Sequence, residues 1–335
     1  MTMIRSLVAP ITCLDEGDQE FVLRRNLPQE KLEAAYNDGD VMWIDVVDPV
    51  DDELEWIGQF FQLSPSVMED LYRADRRPSL LVYPSYIFLS LFEPHNHQLK
   101  AAGKEIHCII GERFLLTVRT SDSETVEQAY DRAAKDLESW KRGLEYFLYL
   151  TCQNAIDAYY PLLDRMSNQL NQYEERLMDG TLNGKQIRQP VYRVKQQLIA
   201  LRQMIAPQRE VLSNMLGEVR LSEDEIRDLF RHLYERLLRV YDLIDAQRDL
   251  AGDVLNMMEN QESKRMVDAV NRLTIFSMIF LPLTFFSGLF ELNFVTTPEP
   301  VALPFSGRTM FMLVLSMMII SAGGMYLFLK RRGWL

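Results

Sequence analysis

Two stretches near the end of the chain break from the pattern of the rest: Leu273 to Phe290 holds eighteen residues without a charge, and Met310 to Leu329 holds twenty. Each is close to the roughly 20 residues that carry a helix across a bilayer. Neither shows a polar face, whereas a buried soluble helix of that length would normally have one. The pattern predicts two membrane spans joined by a short polar loop. Within the first span Thr274, Ser277, Thr284 and Gly288 recur at steps of three, seven and four, near one helical stripe. Such a stripe serves either helix packing through small residues or the wall of a pore built by several copies; periodicity by itself favours packing.

Upstream, residues 1–122 mix strand and helix signals. Val41 to Asp48, Tyr86 to Phe92, Ile106 to Gly111 and Phe114 to Arg119 are short β-branched and aromatic runs bounded by Gly, Pro or Asp. Asp51 to Phe61 reads as a helix after Asp48-Pro49, and Ser64-Pro65 opens another that ends near Tyr72. An α/β domain is the expectation. From 123 to 222 the pattern turns helical: Glu124 to Trp140, Leu144 to Met178 and Lys185 to Leu216 carry apolar residues at three and four spacing, and Pro207 should bend or interrupt the last of them.

From Glu223 a heptad-like seam begins, with Ile226, Leu229, Leu233, Leu237, Val240 and Ile244 stepping by three or four. Only Gly252 interrupts good helix formers before the first span. One helix is therefore expected over residues 223–290, roughly 100 Å at 1.5 Å per residue. It needs partners in water and in the bilayer, and a ring of identical helices would supply both. A loop at 291–309, the second span at 310–329 and a basic tail at 330–335 complete the chain.

The net charge of −12 argues against nucleic acid, since no basic stripe is present to neutralise phosphates. Acidic surfaces attract metal cations instead. Cys13, Cys108 and Cys152 are widely spaced and read as free thiols. Leu7 to Leu14 is apolar, but Asp15, Glu16 and Asp18 follow where a signal-peptide cleavage site would lie. Lys264, Arg265 and Arg272 precede the first span and Lys330, Arg331 and Arg332 follow the second, so both termini are expected in the cytoplasm. No phosphate-binding glycine loop, and no nucleophile with its base, points to an enzyme.

The ending LPLTFFSGLFELNF, which includes Pro282 and Gly288, followed by a Pro-containing loop, a span and Gly333-Trp334-Leu335, resembles the CorA superfamily of divalent-cation transporters, including its zinc-transporting ZntB branch. WIDVVDPVDDELEWIGQFFQLSPSVMEDLYRADRRPSL, LRQMIAPQREVLSNML and YERLLRVYDLIDAQRD are similar to family segments in the same order. The resemblance implies a funnel-shaped homopentamer in a bacterial inner membrane: α/β cytoplasmic domains, long stalk helices that continue into the pore, and an outer ring of second spans. It places Val267, Val270, Leu273, Ser277, Leu281 and Asn293 towards the pore axis, with Leu273 and Leu281 as apolar collars able to gate by dewetting. A non-conducting membrane-anchored sensor or scaffold of the same family is the alternative.

Two departures matter. The family's outer mouth is a Gly-x-Asn triplet, and here Glu291 stands at the glycine before Leu292 and Asn293. Facing the axis, Glu291 would attract Zn²⁺ or Ca²⁺, with Glu299 nearby; facing away, it simply ends the helix. The family's regulatory Mg²⁺ pair maps to Asp70, which is retained, and to a stalk aspartate whose position is His232, where an imidazole suits Zn²⁺ better than Mg²⁺ but a solvated surface histidine is the plainer reading. These changes favour Zn²⁺ or other transition ions over Mg²⁺ as the cargo, with no cofactor. His95 and His97 read as a solvated loop, and His107 as a hydrogen-bonded structural residue.

Overall fold

The computed structural model describes residues 3–14, 21–73, 77–94, 103–181, 184–217, 224–292 and 307–332. They form two compact units, Met1–Leu255 and Asn256–Leu335.

In the first unit, strands β1 (Met3–Ala9), β2 (Arg24–Arg25), β3 (Val41–Val47), β4 (Leu80–Val82), β5 (Tyr86–Glu93), β6 (Lys104–Gly111) and β7 (Phe114–Arg119) make one sheet in the order β2-β1-β3-β7-β6-β5-β4. β3 and β7 run parallel, and every other neighbouring pair is antiparallel. Strands β3, β5 and β7 are buried at every position because helices cover both faces, which is why they read as continuous apolar runs.

One face carries α1 (Gln29–Asn37), α2 (Asp51–Phe60) and α3 (Pro65–Tyr72). Leu32, Ile57 and Val67 share a core there with Met42, Ile44, Phe88, Ile109 and Leu116. The start of α3 follows its sequence signal: Ser64 caps the helix by accepting a bond from the Ser66 amide, with proline at the first helical position. The other face carries α4 (Glu124–Lys135), α5 (Leu144–Asp157), α6 (Tyr159–Met178), α7 (Gly184–Met215) and the first half of α8 (Asp224–Leu292). Their core gathers Trp43, Leu89, Cys108 and Leu115 with Phe147, Leu163, Leu198, Phe230 and Leu237.

A charged network lies within that second layer. Asp45, fully buried, accepts from Arg5 at 2.5 Å and from Arg119 at 2.9 Å, and both guanidinium groups also reach Glu127 at 2.7 Å. Thr117 donates to Asp45 at 2.6 Å and itself accepts from the Trp43 indole. Burying a carboxylate is tolerable only with such pairing, and the pairing ties β1, β3, β7 and α4 together.

The apolar start, which carried no element in the sequence reading, divides into strand Met3–Ala9, in full register with Val41–Val47, and a 3₁₀ turn at Ile11–Leu14. Three sequence expectations change. The helix expected over Glu124 to Trp140 ends at Lys135, and a 3₁₀ turn follows at Leu137–Arg142. The helix expected over Leu144 to Met178 is divided at Ala158. Conversely, α7 runs unbroken through Pro190 and Pro207. A proline inside a helix costs about 3 kcal/mol, and here Leu201, Ile205, Val211, Leu212 and Met215 are buried on both sides of Pro207, enough apolar burial to offset it. Gln208, next in sequence, further ties α7 to the sheet: its amide oxygen accepts from the Phe92 amide at 3.2 Å and its nitrogen donates to Tyr159 Oη at 3.0 Å.

The second unit holds the remainder of α8 and helix α9 (Gly307–Arg331). Both are long and apolar enough to cross a membrane.

Candidate pore helix and metal-contacting residues

Helix α8 is built on two different faces. In its first half Ile226, Phe230, Leu233, Leu237, Val240, Ile244, Gln247, Ala251, Val254 and Met258 are all buried. Their spacing alternates four and three without a break, a strict heptad seam. The structure buries Phe230 where the sequence reading had Leu229, which is only partly covered. It also corrects the partner assigned to this seam in water. The seam closes on the chain's own α6 and α7, whose Leu163, Leu170, Val194, Leu198 and Ile205 share its core. The single polar member, Gln247, donates to the Leu163 carbonyl at 3.1 Å, and its Oε1 has no protein partner.

Carried forward by sevens, the same seam reaches Gln261, Arg265, Asp268 and Arg272, so it turns polar where the body ends. The apolar positions move to the opposite side. Val267, Val270, Leu273, Ser277 and Leu281 fall within about 120° of one another at 100° per residue, facing away from the seam. All five are exposed, and among the four apolar ones Leu281 is the most open at 72 %. Leu273, Thr274, Ser277, Met278 and Leu281 line one shallow open groove. The two threonine hydroxyls of the small-residue stripe do not demand water, because Thr274 donates to the Val270 carbonyl and Thr284 to the Phe280 carbonyl, each at 2.9 Å. At Gly288 an added Cβ would meet nothing within 4 Å, so the stripe stays open to its outer end.

No glycine or proline falls between Glu259 and Leu281, and the helix persists there without any buried side chain to support it. Pro282 lies inside α8 as well. The helix continues through Glu291 to Leu292, two residues further than its apolar run suggested. Backbone register sets Glu291 seven residues after Thr284 and fourteen after Ser277, on the stripe side. The side chain of Glu291, together with Asn293 and Glu299, lies outside the described residues, as do His95 and His97.

Asp70 is buried in α3 and engaged within the chain. His232 is exposed on α8, its Nδ1 3.6 Å from Glu235 Oε2. His107 is not held as a hydrogen-bonded residue should be. Its Nδ1 is buried with no partner, its Nε2 is 3.5 Å from Glu105 Oε1, and its ring stacks on Phe88 at 5.6 Å. Burial pushes its pKa down to about 4. Cys108 and Cys152 are buried free thiols; burial pushes Cys108 up to about 12 and raises Cys152 as well. Among the described residues, no three His, Cys, Asp or Glu side chains gather as a metal site.

An α/β body joined through one long helix to a pair of apolar helices defines the class, a two-span membrane protein whose first span is the end of its longest helix. More narrowly, the chain belongs to the CorA-like Mg²⁺ transporter protein family, whose profile matches residues 38–331. It is 26 % identical over 295 residues to the cobalt/magnesium transport protein CorA of Thermotoga maritima, covering 85 % of this chain and 80 % of that one. It is 33 % identical over 147 residues, 42 % of each chain, to the zinc transport protein ZntB of Pectobacterium carotovorum. In fold it is similar to the complete structure of the CorA magnesium transporter from Methanocaldococcus jannaschii, with a TM-score of 0.74 at 18 % identity over 98 % of both chains. Membership makes this a metal-ion transport protein of the membrane.

Proposed function

We propose that the chain assembles as a homopentamer and passes divalent cations through an axial pore lined by the second half of α8. One observation carries the reading. The stripe of Val267, Val270, Leu273, Ser277 and Leu281 is left uncovered by the chain itself, on the side of α8 away from the core seam. Copies of the same helix arranged about an axis would cover its flanks and leave the stripe facing the lumen. Leu273 and Leu281 then form apolar collars, and a collar of that kind resists wetting until it widens. Both termini lie in the cytoplasm, as the basic flanks require. No nucleotide site is evident in the sequence, so the membrane potential, about 2.3 kcal/mol per charge per 100 mV, drives entry.

The cargo is Zn²⁺ and other transition ions in preference to Mg²⁺. Mg²⁺ gives up its water reluctantly and suits a mouth of neutral carbonyl oxygens, whereas Glu291 adds a carboxylate beside Asn293. Continuous helix through residue 292 and the seven-residue register with Thr284 support a Glu291 that faces the axis. At the regulatory pair, His232 in place of an aspartate removes the magnesium-sensing partner of Asp70.

The test is flux into liposomes that hold the purified chain and an indicator dye. Zn²⁺, Co²⁺ or Ni²⁺ should enter faster than Mg²⁺, and failure of all four to exceed empty vesicles would leave a non-conducting sensor or scaffold. In the same assay Glu291→Gly should move the preference towards Mg²⁺. An unchanged preference would place Glu291 off the pore.

A further inference from the structure

We infer that the basic band at the polar ends of the two spans is a binding surface for anionic phospholipid headgroups. Lys264 and Arg272 lie just before the first apolar run, and Lys330, Arg331 and Arg332 just after the second. Two spans of bilayer length return the chain to the side it left, so Arg272, Lys330, Arg331 and Arg332 meet one leaflet at headgroup depth, and Lys264 stands about 12 Å further along α8 on the aqueous side of it. All five are exposed, and none forms an ion pair among the described residues. In the body, by contrast, Arg5, Arg119, Arg142, Arg202 and Arg236 each meet a carboxylate. Arg265 belongs to the same band but is engaged within the chain and is not counted.

The band also opposes the sign of the molecule. The whole chain carries −12, yet between Ser263 and Arg272 only Asp268 offsets Lys264, Arg265 and Arg272, and no acid stands among residues 330–332. Guanidinium groups match phosphate oxygens through paired N–H donors, and three of the five cations are arginines. Arg332 lies over the Phe328 ring at 5.5 Å, so its stem follows apolar surface while its charge stays at the span end. A bilayer phosphate is the source favoured over a soluble one, because the adjoining apolar runs bring acyl chains, and the phosphates they carry, beside the cations. The inference rests on the two spans and holds whether or not the chain conducts.

Spin-labelled lipids in bilayers holding the full chain measure the preference directly. Phosphatidylglycerol should be retained at the protein over phosphatidylcholine of the same acyl chains by on the order of tenfold, given the attraction of each basic residue to an anionic surface. That ratio should fall towards one in about 1 M salt, where the Debye length is near 3 Å, and also in the variant K264Q/R272Q/K330Q/R331Q/R332Q. Equal retention of the two lipids by the wild-type chain at low salt overturns the inference, as does a preference that salt leaves intact. Displacement of phosphatidylglycerol by millimolar inorganic phosphate would also overturn it, showing a site for soluble anions. The salt series uses the wild-type chain, so the outcome does not depend on the variant folding.

Discussion

Between Asp224 and Met258, α8 buries a side chain at every core step of its heptad, whereas from Glu259 to Gly288 it buries none. Helical propensity is lower in the second half, which holds Pro282 and Gly288, yet both halves are helix, so propensity does not decide which side chains are buried. Partners do. The first half has the chain's own α6 and α7 to close on, and its seam is a core like any other in the body. Past Met258 the seam positions become Gln261, Arg265, Asp268 and Arg272, and apolar side chains appear on the opposite face, where the chain offers nothing to cover them. A helix whose apolar face has no cover inside its own chain takes its cover from outside: a bilayer, and in the proposed assembly other copies of the same helix. The helix thus changes its contacting side at the point where its surroundings change.

The sharpest way to break this comparison is to damage the covered half. Phe230 is 1 % exposed and packs edge-on against Tyr149; Phe230→Ala should cost about 3–5 kcal/mol, as truncation of a buried aromatic does. Denaturant unfolding followed by the fluorescence of buried Trp43 and Trp140 reads the loss, and a change below about 1 kcal/mol would show that the seam is not part of the body's core. Acid should act on the same body, from a strand of its sheet, somewhat more gently. His107 titrates near 4 when folded and near 6.5 when unfolded, so the unfolded chain binds the extra proton between those values. Stability is therefore complete above about pH 6.5 and declines by up to about 3 kcal/mol as pH falls towards 4. His107→Leu should flatten that slope, and a slope that persists would assign it to other groups. Near-UV circular dichroism should lose the body's signal first, while the helical signal of the spans persists.

How far these features could be read from residues differs by element. The central strands were legible because covering on both faces leaves continuous runs such as Val41 to Val47 and Phe114 to Arg119. β1 was not, since Met3–Ala9 mixes Arg5 and Ser6 into an apolar run, and those polar side chains find partners, Asp45 for one, only in the folded sheet. The break at Ala158 and the continuity of α7 through Pro207 are set by packing, which local propensity does not contain. The seam of α8 was visible as spacing, but spacing cannot say whether a seam closes on a copy or on the chain itself. The stripe of Leu273, Ser277 and Leu281 came from family resemblance, and exposure now shows only that the chain leaves it open. His107 was misread because a polar residue in a strand usually has a bond, and the orphaned Nδ1 depends on neighbours that no local pattern reveals.

The smallest effect on the fold should come from the open half, and it tests the comparison from the other side. Leu281 is as apolar as Leu237, but it is 72 % exposed where Leu237 is fully buried. Leu281→Ser should leave the body's unfolding free energy within about 0.5 kcal/mol of wild type, as exposed positions do. If Leu281 forms a collar at the pore axis, the hydroxyl lowers the barrier that dewetting sets and divalent flux into liposomes rises at unchanged ion preference. Destabilisation as large as that of Phe230→Ala would mean that this face is covered after all in the isolated chain. An unaltered flux at unaltered stability would turn Leu281 away from the lumen and leave Leu273 as the collar to test.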